Sequence, residues 1–145
     1  MTTADIAAKA VTDAKLSDAL AYKINGGGIL ATPGWYMTGS QSFNLAKKVS
    51  EQRSGIVLVF SAYNGKDAQN SYLSAHFVPK QAVAAAPGSG WEFDSDPCDR
   101  VGMAKYLYIS DSQIKGHDVN ANSGTAPSGR KHSNGMYILR WVIGV

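Results

Sequence analysis

The sequence is poor in cysteine, poor in charge and without long apolar runs, and each shortage excludes something. One cysteine, Cys98, excludes an intrachain disulfide and the usual four-ligand cysteine zinc site. No fully apolar run exceeds Ile56–Phe60, far short of the roughly 20 residues that cross a bilayer as a helix, so no membrane insertion is expected. The N-terminus, Met1-Thr2-Thr3-Ala4-Asp5, shows neither the basic start nor the apolar core of a secretory signal. Charged residues make up 17 %, against about 25 % in an average chain. The balance of 14 Lys+Arg against 11 Asp+Glu gives a net charge of +3. The densest basic spots are only Lys47-Lys48 and Arg130-Lys131-His132, so no nucleic-acid partner is expected.

What is present suits one domain with an appendage. The 145 residues are 44 % hydrophobic, enough for a core. Residues 4–24 are Ala-rich and free of Gly and Pro, and they predict a helix. Ile6, Ala10, Leu16, Leu20 and Ile24 form a thin apolar stripe that needs a partner: copies of itself or its own domain. Gly26-Gly27-Gly28 stops the helix and acts as a joint. The expected division is a helix at 1–25, a Gly-rich joint at 26–33 and a β domain at 34–145.

The rest reads as strands. Ile56–Phe60, Tyr72–Val78, Tyr106–Ile109 and Met136–Val145 are the clearest, with weaker ones at Gly34–Met37, Ser42–Leu45, Trp91–Phe93 and Gln113–Val119. Turn signals recur about every ten residues, which predicts a mainly β fold, an antiparallel sandwich or barrel-like domain after the N-terminal helix. In the last strand, strict alternation puts Tyr137, Leu139, Trp141, Ile143 and Val145 on one face. Its other face is also largely apolar, so the strand is expected to be central or to lie against a subunit interface. Asn120–Asn134, polar and without large apolar residues, reads as a long exposed loop.

Catalytic and metal signatures are weak. Gly88-Ser89-Gly90 has the wrong spacing for a nucleophile elbow. His76, His117 and His132 share no ligand spacing, so no metal and no cofactor are expected. Glu92, Asp94, Asp96 and Asp99 form one acidic cluster. It reads as a solvated loop, a sugar or ion site, or a catalytic carboxylate pair. Pro97 and Cys98 break the calcium-loop pattern. The aromatics Trp35, Tyr36, Tyr63, Tyr72, Trp91 and Tyr108 sit near strand ends. Rings that stack on sugar C–H faces beside hydroxyl-binding side chains suit carbohydrate recognition; core packing is the competing use of each ring.

Four blocks carry a family resemblance. They are Gly34–Met37 with Ser40–Leu45; Val49–Ser61 with Ala68–Asn70 and Phe77–Lys80; Lys105–Asp111 with Ile114–Asn120; and Asn134–Val145. Together they resemble the C-terminal domain of baseplate, receptor-binding or tail-fibre proteins of siphophages that infect Gram-positive bacteria. The resemblance implies a virion tail protein, assembled in the host cytoplasm and acting outside the cell, that is no enzyme and recognises a host cell-wall saccharide. It implies a homotrimer and contacts with other tail or baseplate proteins. A structural tail protein without ligand, or a tail glycan hydrolase, are the alternatives. The expected saccharide site comprises Trp91, Glu92, Asp94 and Asp96, with Tyr63, Asn64 and His76 at the same end of the sheet. The expected oligomer interface comprises Ile6, Leu16, Leu20 and Arg140.

Overall fold

The computed structural model describes Leu20 and residues 27–145. Leu20 is helical and exposed. Ile6, Leu16 and almost all of the expected helix at 4–24 lie outside the described residues.

Period-two alternation and β-branched content set the strands. Strands β1 (Ile29–Ala31), β2 (Ser42–Asn44), β3 (Gly55–Ala62) and β4 (Ser74–Pro79) come first. A short helix α1 (Lys80–Ala85), which the strand pattern alone does not predict, comes next with Val83 buried. Then come β5 (Ser89–Ser95), β6 (Met103–Ile109), β7 (Gln113–Lys115), β8 (Ser123–Thr125), β9 (Lys131–Ser133) and β10 (Tyr137–Gly144). Two antiparallel four-stranded sheets result, with orders β1-β10-β3-β4 and β2-β7-β6-β5, and β8–β9 forms a separate hairpin. The mainly β, antiparallel expectation holds for the described residues.

The sheets pack face to face. Ile56, Leu58 and Phe60 of β3 share one core with Phe93, Leu107, Ile109 and Ile114 of the second sheet. The edges align as well. His76 of β4 lies 5.6 Å from Phe93 of β5, and Ala46 N–H donates to the Leu30 carbonyl at 3.0 Å beside β1 and β2.

Strand β10 is central, as expected, but its faces differ from strict alternation. Leu139 pairs with Phe60 and Trp141 with Val59, so Arg140 is an extra residue in a bulge. A bulge reverses the facing of every later residue in its strand. Tyr137, Leu139 and Val142 therefore enter the core, while Trp141 and Ile143 turn outward. On that outer face Ile29, Ile143, Val57 and Phe77 line up across all four strands, and Ile29 and Phe77 are 59 % and 53 % exposed. Three further strand expectations are shortened. Tyr72 sits at φ 51° and stays outside β4; Gly34–Met37 is irregular, with Met37 at φ 65°; the chain turns after Lys115 rather than running on to Val119.

The segment expected to be an exposed loop is anchored at both ends by fully buried asparagines, Asn120 and Asn134. The reason lies in β6. One edge of β6 pairs with β5 throughout, but the other meets β7 only at Tyr108 and Ile109. Asparagine amides take the place of the missing strand. Asn120 accepts from Tyr106 N–H at 2.6 Å and donates to the Tyr106 carbonyl at 2.7 Å, while Asn134 accepts from Ala104 N–H at 2.7 Å. Between them, on the inward face of β6 with Met103 and Leu107, sits Lys105, which is 0 % exposed. Its ammonium donates to the carbonyls of Asn120 at 2.6 Å, Asn134 at 2.8 Å and Tyr137 at 2.8 Å, with Tyr36 O at 3.3 Å.

Replacing Lys105 by Met would remove this donor from the carbonyls of Asn120 and Tyr137 and leave the Asn134 carbonyl with Tyr137 N–H alone, each lost buried partner costing about 1–3 kcal/mol. We predict that Lys105→Met lowers unfolding stability by about 3 kcal/mol or more, read from the urea midpoint. An unchanged midpoint would show that the carbonyls find other donors.

Candidate functional site

Strand geometry separates the residues expected to form a site. On β5, Trp91 and Phe93 face the core while Glu92 and Asp94 face outward. Trp91 packs on the core, and its indole N–H is buried without an acceptor among the described residues. His76 also turns inward, edge-on to Phe60 at 5.8 Å and to Phe93 at 5.6 Å, with Nε2 3.3 Å from Ser74 Oγ. Tyr63 lies edge-on to Tyr36 at 5.4 Å. The Asn64 side chain is used by its own turn, accepting from Lys66 and Asp67 N–H at 2.9 and 2.7 Å.

Three of the four clustered acids have structural partners. Arg130 pairs with Asp94 at 2.8 Å and approaches Asp96 at 3.9 Å. Its other nitrogen donates to the carbonyls of Ser95 at 3.0 Å and Met103 at 3.3 Å, which clamps the chain beside β9 to the end of β5. Asp99 accepts from Tyr72 OH at 2.8 Å, and the Arg100 guanidinium lies over the Tyr72 ring. Glu92 alone in the cluster makes no ion pair or hydrogen bond among the described residues. No group of three or more His, Cys, Asp or Glu that could hold a metal occurs among them either.

Glu92 instead opens onto a groove of about 380 Å³ on the outer face of the second sheet. Tyr106 and Tyr108 stand on that face because they alternate with Lys105 and Leu107. Their rings are 5.4 Å apart at 81°, and the His117 ring closes the cluster, 5.5 Å from Tyr106 and 6.2 Å from Tyr108. Gly90 leaves room for the Tyr106 ring to lie across it: a Cβ there would collide with that ring. His117 stands at the head of a short turn, Asp118–Ala121, and its Nδ1 accepts from Val119 N–H at 3.2 Å. A neutral ring in that pose carries its proton on Nε2. Gly116 brings the turn in, since a Cβ would run into the Met37 carbonyl, which accepts from His117 N–H at 3.0 Å. Beyond Tyr108 the surface continues into a second cleft of about 360 Å³ with Gly88, Ser110, Gln113 and Lys115.

The chain matches no family model, no curated protein and no solved structure. The site must therefore be read from its own geometry. Of the seven residues expected in a saccharide site, only Glu92 lines this groove. The sequence places Tyr108 among the strand-end aromatics, whereas nothing in composition or turn spacing points to Tyr106 and His117. The Tyr106-x-Tyr108 spacing on a strand was the available signal; the approach of His117 depends on contacts distant in sequence. Arg140, expected at a subunit boundary, is bonded within its own chain to Ser61 Oγ at 3.4 Å, Gln69 O at 3.1 Å and Asn70 Oδ1 at 3.3 Å, and lies over Trp141.

The inward histidine gives a pH prediction. Burial lowers the His76 pKa below its ordinary 6.5, with Asp94 acting weakly in the other direction. The unfolded chain then takes up its proton first as pH falls. Stability contributed at pH 7 should decline as pH drops through and below 6.5, and His76→Phe should flatten that decline in pH-dependent urea unfolding. A His76→Phe profile as steep as that of the wild type would contradict this.

Proposed function

We propose that the protein is a non-enzymatic recognition module of the siphophage tail-tip type that binds a host cell-wall saccharide in the Glu92–Tyr106–Tyr108–His117 groove. One observation carries the reading: in this groove the polar groups are unspent. Glu92, the two tyrosine hydroxyls and His117 Nε2 have no hydrogen-bond or ion-pair partner among the described residues, nor does Lys115 in the adjoining cleft. Ring faces supply stacking area at low entropic cost, and the free polar groups suit sugar hydroxyls. The four sequence blocks that resemble phage-tail C-terminal domains supply the biological setting: a virion tail, with other tail or baseplate proteins as neighbours.

Binding is favoured over cleavage because Glu92 is the one carboxylate lining the groove, whereas glycoside hydrolysis ordinarily uses two. A purely structural tail role leaves the unspent groups without a purpose.

The homotrimer belongs to the same proposal. The outward row Ile29, Ile143, Val57 and Phe77 is an apolar sheet face of the kind that subunit contacts cover. Several copies on one virion would raise weak single-site affinities by avidity.

Two experiments test the proposal. Tyr108→Ala should weaken retention on cell walls of a susceptible strain about tenfold, the value of one aromatic contact, with the unfolding midpoint preserved. Glu92→Gln should weaken it less. Unchanged retention in both variants would reject the groove. For assembly, Phe77→Glu should lower the molar mass seen by light scattering, and a wild-type chain that is monomeric at micromolar concentration would reject the trimer.

A further inference from the structure

The groove has a wall that is not a surface residue. Lys105 borders it from below, and part of what places His117 over the tyrosine rings runs through the lysine and its partners, beside the bonds of Gly39 N–H to Asp118 and of Gly116 N–H to the Gln41 carbonyl. Its Nζ holds the Asn120 carbonyl at 2.6 Å. The Asn120 side chain grips both backbone groups of Tyr106 and donates to the Met37 carbonyl at 2.6 Å. The same Met37 carbonyl receives His117 N–H, and Asn120 N–H donates to the His117 carbonyl at 3.0 Å. The Asp118–Ala121 turn is thus tied at each end to atoms that Lys105 organises.

The stoichiometry of the cage makes its charge matter. An ammonium has three N–H bonds, and three carbonyls lie within 2.8 Å. A neutral amine has two N–H bonds and a lone pair, so one of those oxygens would face a lone pair instead of a proton. No carboxylate is paired with Lys105; the titratable side chain set against it is Tyr36, whose ring centre is 5.6 Å from Nζ. On β6 its inward neighbours are Met103 and Leu107, its cross-strand partner is Phe93, and the turn and the 134–137 segment present Asn120 and Asn134.

We infer that Lys105 is a positioning residue for the groove, and that ligand affinity follows the charge on its ammonium because the charged cage sets how the Asn120 end of the His117 turn sits against Tyr106 and Tyr108. This rests on the saccharide reading of the groove. Burial brings the ammonium's pKa down to about 7 from 10.5, while the carbonyl dipoles act to keep the charge. The control of affinity therefore lies on the alkaline side of neutrality.

The pH dependence separates positioning from mere support of the fold. A lysine whose folded pKa lies below its unfolded value makes the unfolded state the stronger proton binder between the two, so global stability rises with pH across that window. Affinity should fall over the same window.

The experiment measures binding of the full chain to a cell-wall polysaccharide fraction that it retains at pH 7, by calorimetry from pH 7 to 9, below the ordinary tyrosine range near 10. Urea unfolding is followed in parallel. The expected result is a fall in affinity of about tenfold or more with no loss of stability, and in Lys105→Met a weak affinity that no longer changes with pH. Asn120→Ala, which keeps the ammonium and removes the grip on Tyr106, should weaken binding in the same way if Lys105→Met fails to fold. A wild-type affinity that is flat from pH 7 to 9, or Lys105→Met binding with the wild-type profile, would overturn the inference while leaving the groove in place. Undiminished binding by Tyr108→Ala would overturn the groove itself, and the inference with it.

Discussion

An ammonium with no carboxylate partner among the described residues ties four stretches of this chain together. Lys105 reaches the carbonyls of Tyr36, Asn120, Asn134 and Tyr137, and these belong to the approach to β2, the two ends of the 120–134 segment and the start of the central strand β10. A buried charge is costly unless every proton finds an acceptor, and here the acceptors are buried backbone oxygens, of which that of Asn134 also accepts from Tyr137 N–H. Each side of the arrangement satisfies the other. The consequence is a short edge of β6 that needs no neighbouring strand, because Asn120 and Asn134 complete its hydrogen bonding.

From that constraint the groove arises. With β6 fixed along both edges, Tyr106 and Tyr108 are held on its outer face, and the turn that begins at His117 folds back over them. Elsewhere the sequence's acids go largely to structure: Asp94 and Asp96 lie beside Arg130, Asp99 binds Tyr72, Asp111 accepts from Ser50, and Asp118 accepts from Gly39 N–H. Glu92 and Lys115, by contrast, have no such structural partner among the described residues, and on that contrast the proposed ligand surface rests.

Local pattern made much of the fold legible in the sequence. The β-branched run at Ile56–Phe60, the central place of the last strand and the antiparallel class all come from alternation and turn spacing, and the structure has them. What alternation could not reveal was the bulge at Arg140, which moves Val142 inward in place of Trp141 and Ile143. Composition read Asn120–Asn134 as an exposed loop, and its middle is exposed, but it folds as the β8–β9 hairpin and its two end asparagines are buried, which composition could not show until their backbone partners on β6 are known. The acidic cluster drew attention to Trp91, Asp94 and Asp96, whereas period two sends Trp91 to the side opposite Glu92. Of those residues only Glu92 lines the groove, and its companions Tyr106 and His117 come together through pairing across long sequence separations.

The central claim is that this groove, and no other face, takes the ligand. Backbone and side-chain NMR of the full chain, titrated with a cell-wall polysaccharide fraction from a susceptible strain, tests it most directly. The account predicts that the shifts concentrate on Glu92, Tyr106, Tyr108, His117 and Val119, with the core-facing Trp91 and His76 nearly still. Shifts centred on the Ile29–Ile143–Val57–Phe77 face or around Trp91 and His76, with the groove unmoved, would contradict it.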